Sequence, residues 1–137
     1  MEIVVKDKPS AQELAEIEAG LLAYNAQFMD ISESRSLGVF IESVEGHKLA
    51  GLTGSTCGNW LRINMLWVSE TLRGRGKGTA LMRAAEEEAR RRGCLYAQVD
   101  TASFQARPFY EKMGYEVQLV LDNYPRVHQR IYLTKTL

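Results

Sequence analysis

The chain has 137 residues, 45% of them hydrophobic, which is enough for one domain with a single core that needs neither disulfides nor a metal staple. Lysine plus arginine (17) equals aspartate plus glutamate (17), and the resulting pI of about 6.7 excludes a bulk nucleic-acid binder. Apolar runs such as Met65–Val68 and Leu119–Leu121 fall far short of the ~20 residues of a membrane span, and Met1-Glu2-Ile3-Val4-Val5-Lys6 lacks a signal-peptide pattern; a cytoplasmic protein without membrane or nucleic-acid partners is expected.

Glu2–Lys6 is short and β-branched and reads as a strand. Ser10 with Glu13 has capping-box spacing, and Leu14, Ile17, Leu21, Tyr24 and Phe28 line one face of a helix predicted over Ala11–Phe28. A polar loop over Asp30–Ser36 precedes three strands, Leu37–Val44, Lys48–Thr56 and Leu61–Val68, joined by turns at Glu45-Gly46 and Gly58-Asn59 and hence antiparallel. Ile63–Val68 is almost continuously apolar, as in a central strand covered on both faces. The glycine-rich Arg73–Gly78 leads into a helix over Thr79–Arg92, with a stripe of Leu81, Ala84, Ala85 and Ala89, ended by Gly93. A strand over Leu95–Asp100, a short helix over Phe104–Met113 and strands over Tyr115–Leu121 and Val127–Leu133 complete the chain.

The order β-α-β-β-β-α-β-α-β-β predicts an α/β (α+β) domain spanning residues 1–137. Its mixed, mostly antiparallel sheet has about seven strands flanked by helices, with the parallel part around the strand–glycine loop–helix–strand unit. Cys57 and Cys94 are too few for a disulfide framework and too far apart for half a metal motif, so no metal is expected. Cys57, Met65, Met82 and Met113 occupy patterned apolar positions and read as core. Glu86-Glu87-Glu88 with Arg90-Arg91-Arg92 reads as a solvated helix face of paired charges.

A strand running through glycines into a helix converges free N–H groups on the positive end of the helix dipole, a device for phosphate. The dinucleotide fingerprint fails, because its third glycine falls on Thr79 or Leu81. The P-loop fails because Gly76-Lys77 is followed by Gly78. What matches is Arg73-x-x-Gly76-x-Gly78, which resembles the signature of the GNAT superfamily of acetyl-CoA-dependent N-acetyltransferases. Ala106-Arg107-Pro108-Phe109-Tyr110-Glu111-Lys112-Met113-Gly114-Tyr115 is similar to that family's second motif. The likeness is densest over Leu61–Tyr115, and the order of elements agrees over nearly the whole chain.

The resemblance implies a central strand splayed from its neighbour and acetyl-CoA as cosubstrate. Its pyrophosphate would lie on the N–H groups of Gly74, Arg75, Gly76, Lys77, Gly78 and Thr79, with Arg73, Arg75 and Lys77 adding positive charge. Its pantetheine arm would run beside Leu66, Trp67 and Val68, the Leu66 backbone polarising the thioester carbonyl. Tyr110 would be the general acid that protonates the departing thiolate. Transfer would be direct, through a tetrahedral intermediate, to a primary amine of a small molecule or peptide. Ser103 stands where many members carry a cofactor-contacting asparagine and is equally suited to capping the following helix. Arg62 stands where some members carry a glutamate base, leaving Asp100, His128 or water in that role. The acceptor pocket is expected from Asp30, Glu33, Asp100 and His128, carboxylates being able to attract a cationic amine. Two other readings share the fold: a non-catalytic acyl-CoA sensor, and a structural subunit whose exposed edge strands would support a homodimer.

Overall fold

Ser10 opens the first helix as its spacing predicts: its Oγ accepts from Glu13 N–H at 3.1 Å, and its N–H donates to Glu13 Oε1 at 2.8 Å. This reciprocal box fixes the start of α1 (Ala11–Asn25). The computed structural model describes residues 1–137, which form two compact units, Met1–Glu33 and Ser34–Leu137. In the first unit Lys6 is ion-paired with Glu13. Glu2–Lys6 forms no strand, contrary to its composition. β-Propensity expresses side-chain fit on a sheet rather than a backbone preference, so a β-branched run without a ladder partner stays irregular. The helix ends at Asn25, short of the predicted Phe28, and its apolar stripe of Leu14, Ile17, Leu21 and Tyr24 is exposed.

The second unit runs β1 (Arg35–Glu42), β2 (Lys48–Cys57), β3 (Trp60–Val68), α2 (Lys77–Arg91), β4 (Tyr96–Ala102), α3 (Arg107–Lys112), β5 (Glu116–Leu121) and β6 (Arg130–Thr136). These make one six-stranded sheet of order β1-β2-β3-β4-β6-β5 rather than the expected seven strands, the missing one being Glu2–Lys6. Only β3 and β4 are parallel; every other neighbouring pair is antiparallel. Helix α2 packs across β1, β2 and β3 and buries Leu81, Met82, Ala85 and Ala89. Ala84, placed on that stripe by the sequence, faces solvent, and Met82 fills the core in its stead. Glu86, expected on the solvated face, is buried as well.

One irregularity in β3 decides where a cleft can open. Gly54 of β2 pairs with Ile63 and Thr53 with Met65, so Asn64 is an extra residue, a β-bulge. An extra residue reverses the in-out sense of everything after it. Leu61 and Ile63 are buried before the bulge; after it Leu66 and Val68 turn inward, while Met65 and Trp67 point outward at 66% and 52% exposure. Ile63–Val68 is therefore central in the sheet but open on one face, and Met65 is not a core residue. Cys57 is also exposed, whereas Cys94 is buried. Gly54 is required opposite the bulge, since a Cβ there would lie 2.2 Å from the Arg62 carbonyl oxygen.

Candidate active site

The parallel pairing of β3 with β4 lasts four residues, from Trp60↔Tyr96 to Ile63↔Val99, and stops at the bulge. Beyond it the strands diverge around a cleft of about 840 Å³, lined among others by Leu66, Trp67, Val68, Arg73, Asp100 and Tyr110. Ser69 N–H donates to Leu49 O on β2 at 2.9 Å. Because amide directions alternate along a strand, the N–H groups of Leu66 and Val68 face the opposite edge, into the cleft. The splay was expected; the bulge that causes it was not.

The glycine loop adjoins this cleft. Gly74 and Gly76 have φ of 75° and 72°, and Gly76 is the N-cap of α2 in left-handed conformation, with no side chain capping the helix. A glycine cap leaves the first N–H groups of the helix, on Lys77, Gly78 and Thr79, without intrahelical acceptors, beside the positive end of the helix dipole. Nothing lies within 4 Å of a Cβ built on Gly74 or Gly76. A second cleft, of about 380 Å³, covers this loop and shares Leu66, Val68, Arg73 and Ala106 with the first. Arg73 Nε donates to Val68 O at 3.0 Å and ties the loop to the end of β3. A phosphate-bearing group with a long thiol arm fits this arrangement: exposed amides for the anion, then a strand edge with free donors for the arm.

Tyr110 lines the larger cleft from α3 and is only 5% exposed, its ring packed edge-on against Phe109 and Tyr115. Burial, and secondarily the negative charge of Asp100, push its phenol up to about 12. A proton is thus held at Tyr110 Oη throughout the neutral range. The turn into α3 is set by Gln105, whose Oε1 accepts from Ala102 N–H at 2.8 Å, and by Thr101 Oγ1, which accepts from Ala106 N–H at 3.3 Å.

Asp100, a candidate base, is engaged: its Oδ2 accepts from Arg130 Nη1 at 2.9 Å. The Arg130 guanidinium lies 4.9 Å from the Tyr124 ring centre, and its Nε is buried without a partner. Arg130 was not singled out in the sequence, since its pairing with Asp100 spans thirty residues and depends on β4 and β6 being neighbours. Ser103 does not cap α3, whose N-cap is Ala106. It exchanges bonds with Gln129 instead, N–H to O at 2.8 Å and Oγ from N–H at 3.0 Å. Its hydroxyl anchors the loop before β6, and neither cleft includes it. Arg75 is exposed and lines neither cleft. The exposed His128 also lines neither, its ring edge-on to Phe104 at 4.8 Å. Asp30 and Glu33 belong to the first unit; Asp30 Oδ1 accepts from the Ser32 hydroxyl and N–H, which holds its carboxyl below the ordinary value. The sequence also missed Phe109, whose ring flanks Gly78.

Residues 5–115 match the model of the acetyltransferase (GNAT) family. The chain is 36% identical over 115 residues to acetyltransferase Atu2258 of Agrobacterium fabrum, covering 84% of each chain. It is 36% identical over 99 residues to blasticidin-S acetyltransferase of Streptomyces morookaense, covering 69% of this chain and 73% of that one. A crystal structure from Agrobacterium tumefaciens, 32% identical, superposes with a TM-score of 0.92 over 100% of both chains.

Proposed function

The chain belongs to the GNAT acetyltransferase family, and we propose that it moves an acetyl group from acetyl-CoA directly to a primary amine of a small molecule. The observation that carries this reading is the junction of two clefts, one over an uncapped helix N-terminus and one along a splayed strand, with a buried phenol beside the second. Acetyl-CoA supplies a thioester carbonyl that the amine attacks. Lys77, Gly78 and Thr79 N–H groups, with the Lys77 charge, bind the diphosphate. Arg73 positions them by fixing the loop to Val68 O.

The Leu66 N–H receives the negative charge that develops on the carbonyl oxygen, a donor whose direction the strand sets in advance. Tyr110 Oη gives its proton to the departing thiolate, the phenol being protonated throughout the neutral range. Asp100, neutralised by Arg130, serves as a contact at the acceptor end of the cleft rather than as a free base. The amine attacks as the neutral base, and the proton its nitrogen sheds once the C–N bond has formed goes to solvent. The small-molecule acceptor is supported by the similarity to blasticidin-S acetyltransferase.

The test is mass spectrometry of an amine panel incubated with the protein and acetyl-CoA, with release of free thiol followed in parallel. An acetylated amine formed in step with free thiol supports the reading. Binding of acetyl-CoA with no acetylated product reduces the protein to an acyl-CoA sensor, and no binding removes the reading altogether.

A further inference from the structure

The larger cleft passes through the sheet, because β3 and β4 part where it opens. Val99 and Ile131 lie in the same core as Leu81 and Met82 of α2, so alternation along β4 and β6 puts Asp100 and Arg130 on the opposite, open face. Acetyl-CoA seated on the glycine loop, at the start of α2, reaches the cleft from the α2 face, which leaves the open face to the acceptor. That end of the cleft carries one ion pair, with side chains 28% exposed for Arg130 and 26% for Asp100. The bond from Arg130 Nη1 to Asp100 Oδ2 is the only hydrogen bond either side chain makes, and Arg130 Nε is buried without a partner. Arg130 Nη2 and Asp100 Oδ1 are neither bonded nor buried, so both are open to a ligand.

We infer that this pair selects an α-amino acid with an apolar side chain as the acceptor, its carboxylate held by Arg130 Nη2 and its amine by Asp100 Oδ1; this rests on the acetyltransferase reading above. A guanidinium with most of its donors unspent in a half-buried site is poorly satisfied by Asp100 alone, and a carboxylate completes it. The pair sets a positive group beside a negative one, which complements a molecule with amine and carboxylate on one carbon. A plain amine would leave the Arg130 donors unmet. With one N–H given to Asp100 Oδ1, the neutral amine keeps its lone pair for the thioester carbonyl. The Tyr124 ring, 4.9 Å from the guanidinium carbon, steadies Arg130. Met65 and Phe104 line the same cleft and are largely exposed, an apolar wall for the side chain of the amino acid.

Steady-state rates at saturating acetyl-CoA test this, with L-phenylalanine and L-leucine set against phenethylamine and 3-methylbutylamine, the same carbon frames without the carboxylate. Wild type should favour each amino acid over its amine in kcat/KM. In Arg130→Gln that ratio should fall about 10- to 100-fold, the worth of charge-assisted hydrogen bonds to one carboxylate. The basicity of each compound is the same in both assays, so the change in ratio belongs to Arg130. The loss should appear in KM for the amino acids, whereas KM for the cationic amines should fall, because Asp100 has lost its counter-charge. Acetyl-CoA affinity by calorimetry should be unchanged, and Arg130→Lys, which keeps the charge, should retain part of the preference. Acetylation of other amines but of neither amino acid, or an unchanged ratio in Arg130→Gln, would overturn the inference and leave the acetyltransferase reading standing. Failure of the wild type to acetylate any amine would overturn both.

Discussion

Tyr110 shows how one side chain takes its chemistry from its surroundings. The same phenol on the surface would titrate near 10; buried beside Asp100 it is pushed up to about 12. Removing only the hydroxyl should therefore change the chemistry and spare binding, because the ring still packs on Phe109 and Tyr115. Tyr110→Phe should lower kcat by about 10²–10⁴-fold, with acetyl-CoA affinity nearly unchanged, in assays where chemistry limits turnover. A wild-type rate would assign the proton transfer to water. The same substitution has a stability consequence. Since the folded-state pKa lies above the unfolded one, the folded chain keeps a proton that the unfolded chain gives up between pH 10 and about 12. Stability is fully present below pH 10 and is lost as pH rises through that window. Urea unfolding of wild type across it should show this decline, and Tyr110→Phe should show a shallower one; identical slopes would mean that Tyr110 is solvated in the native state.

At the scale of elements, the sheet was legible where period-two patterning is unbroken and illegible where a single residue breaks it. Glycine turns and strand alternation place β1, β2 and the first half of β3 within a residue or two. After Asn64 the same alternation gives the wrong face, which is why Met65 reads as core and is exposed. The glycine loop and α3 were legible because their backbone needs are local: positive φ at Gly74 and Gly76, and at Gly114 a φ of 96° just after the helix. The Asp100–Arg130 pair and the Ser103–Gln129 exchange were not, since both depend on which strands become neighbours. The bulge also makes a prediction about a residue outside the clefts. Gly54→Ala puts a Cβ against the Arg62 carbonyl, backbone that yields only if the β2–β3 register shifts. It should destabilise the fold by about 1–3 kcal/mol, as overpacking does. It should also weaken acetyl-CoA binding, because the splay of β3 starts at that register. Destabilisation with unaltered cofactor affinity in the folded variant would separate the bulge from the cleft.

Across the molecule, both clefts lie in the second unit, and a buried polar cluster links the elements around them. Glu86, two turns past the glycine loop on α2, accepts from Tyr115 Oη at 2.7 Å, where the chain leaves α3 for β5. It accepts from Lys135 Nζ, on β6, at 2.9 Å. The Lys135 ammonium also lies 5.5 Å from the Tyr115 ring centre. Composition and periodicity read Glu86 as one of three solvated carboxylates; its burial is fixed by β6, forty-nine residues away. A charge at 3% side-chain exposure is tolerable only while both partners are present. Lys135→Met removes the only ion-pair partner of Glu86 and should cost about 3 kcal/mol, the low end for breaking a buried pair, because Lys135 itself is 20% exposed. Glu86→Gln in that background replaces the stranded carboxylate with a neutral amide that can still accept from Tyr115. The double variant should therefore be more stable than Lys135→Met alone, a non-additivity that urea midpoints of the four proteins read directly. Additive losses would mean that Glu86 and Lys135 contribute independently and that α2 is held to β6 by apolar packing alone.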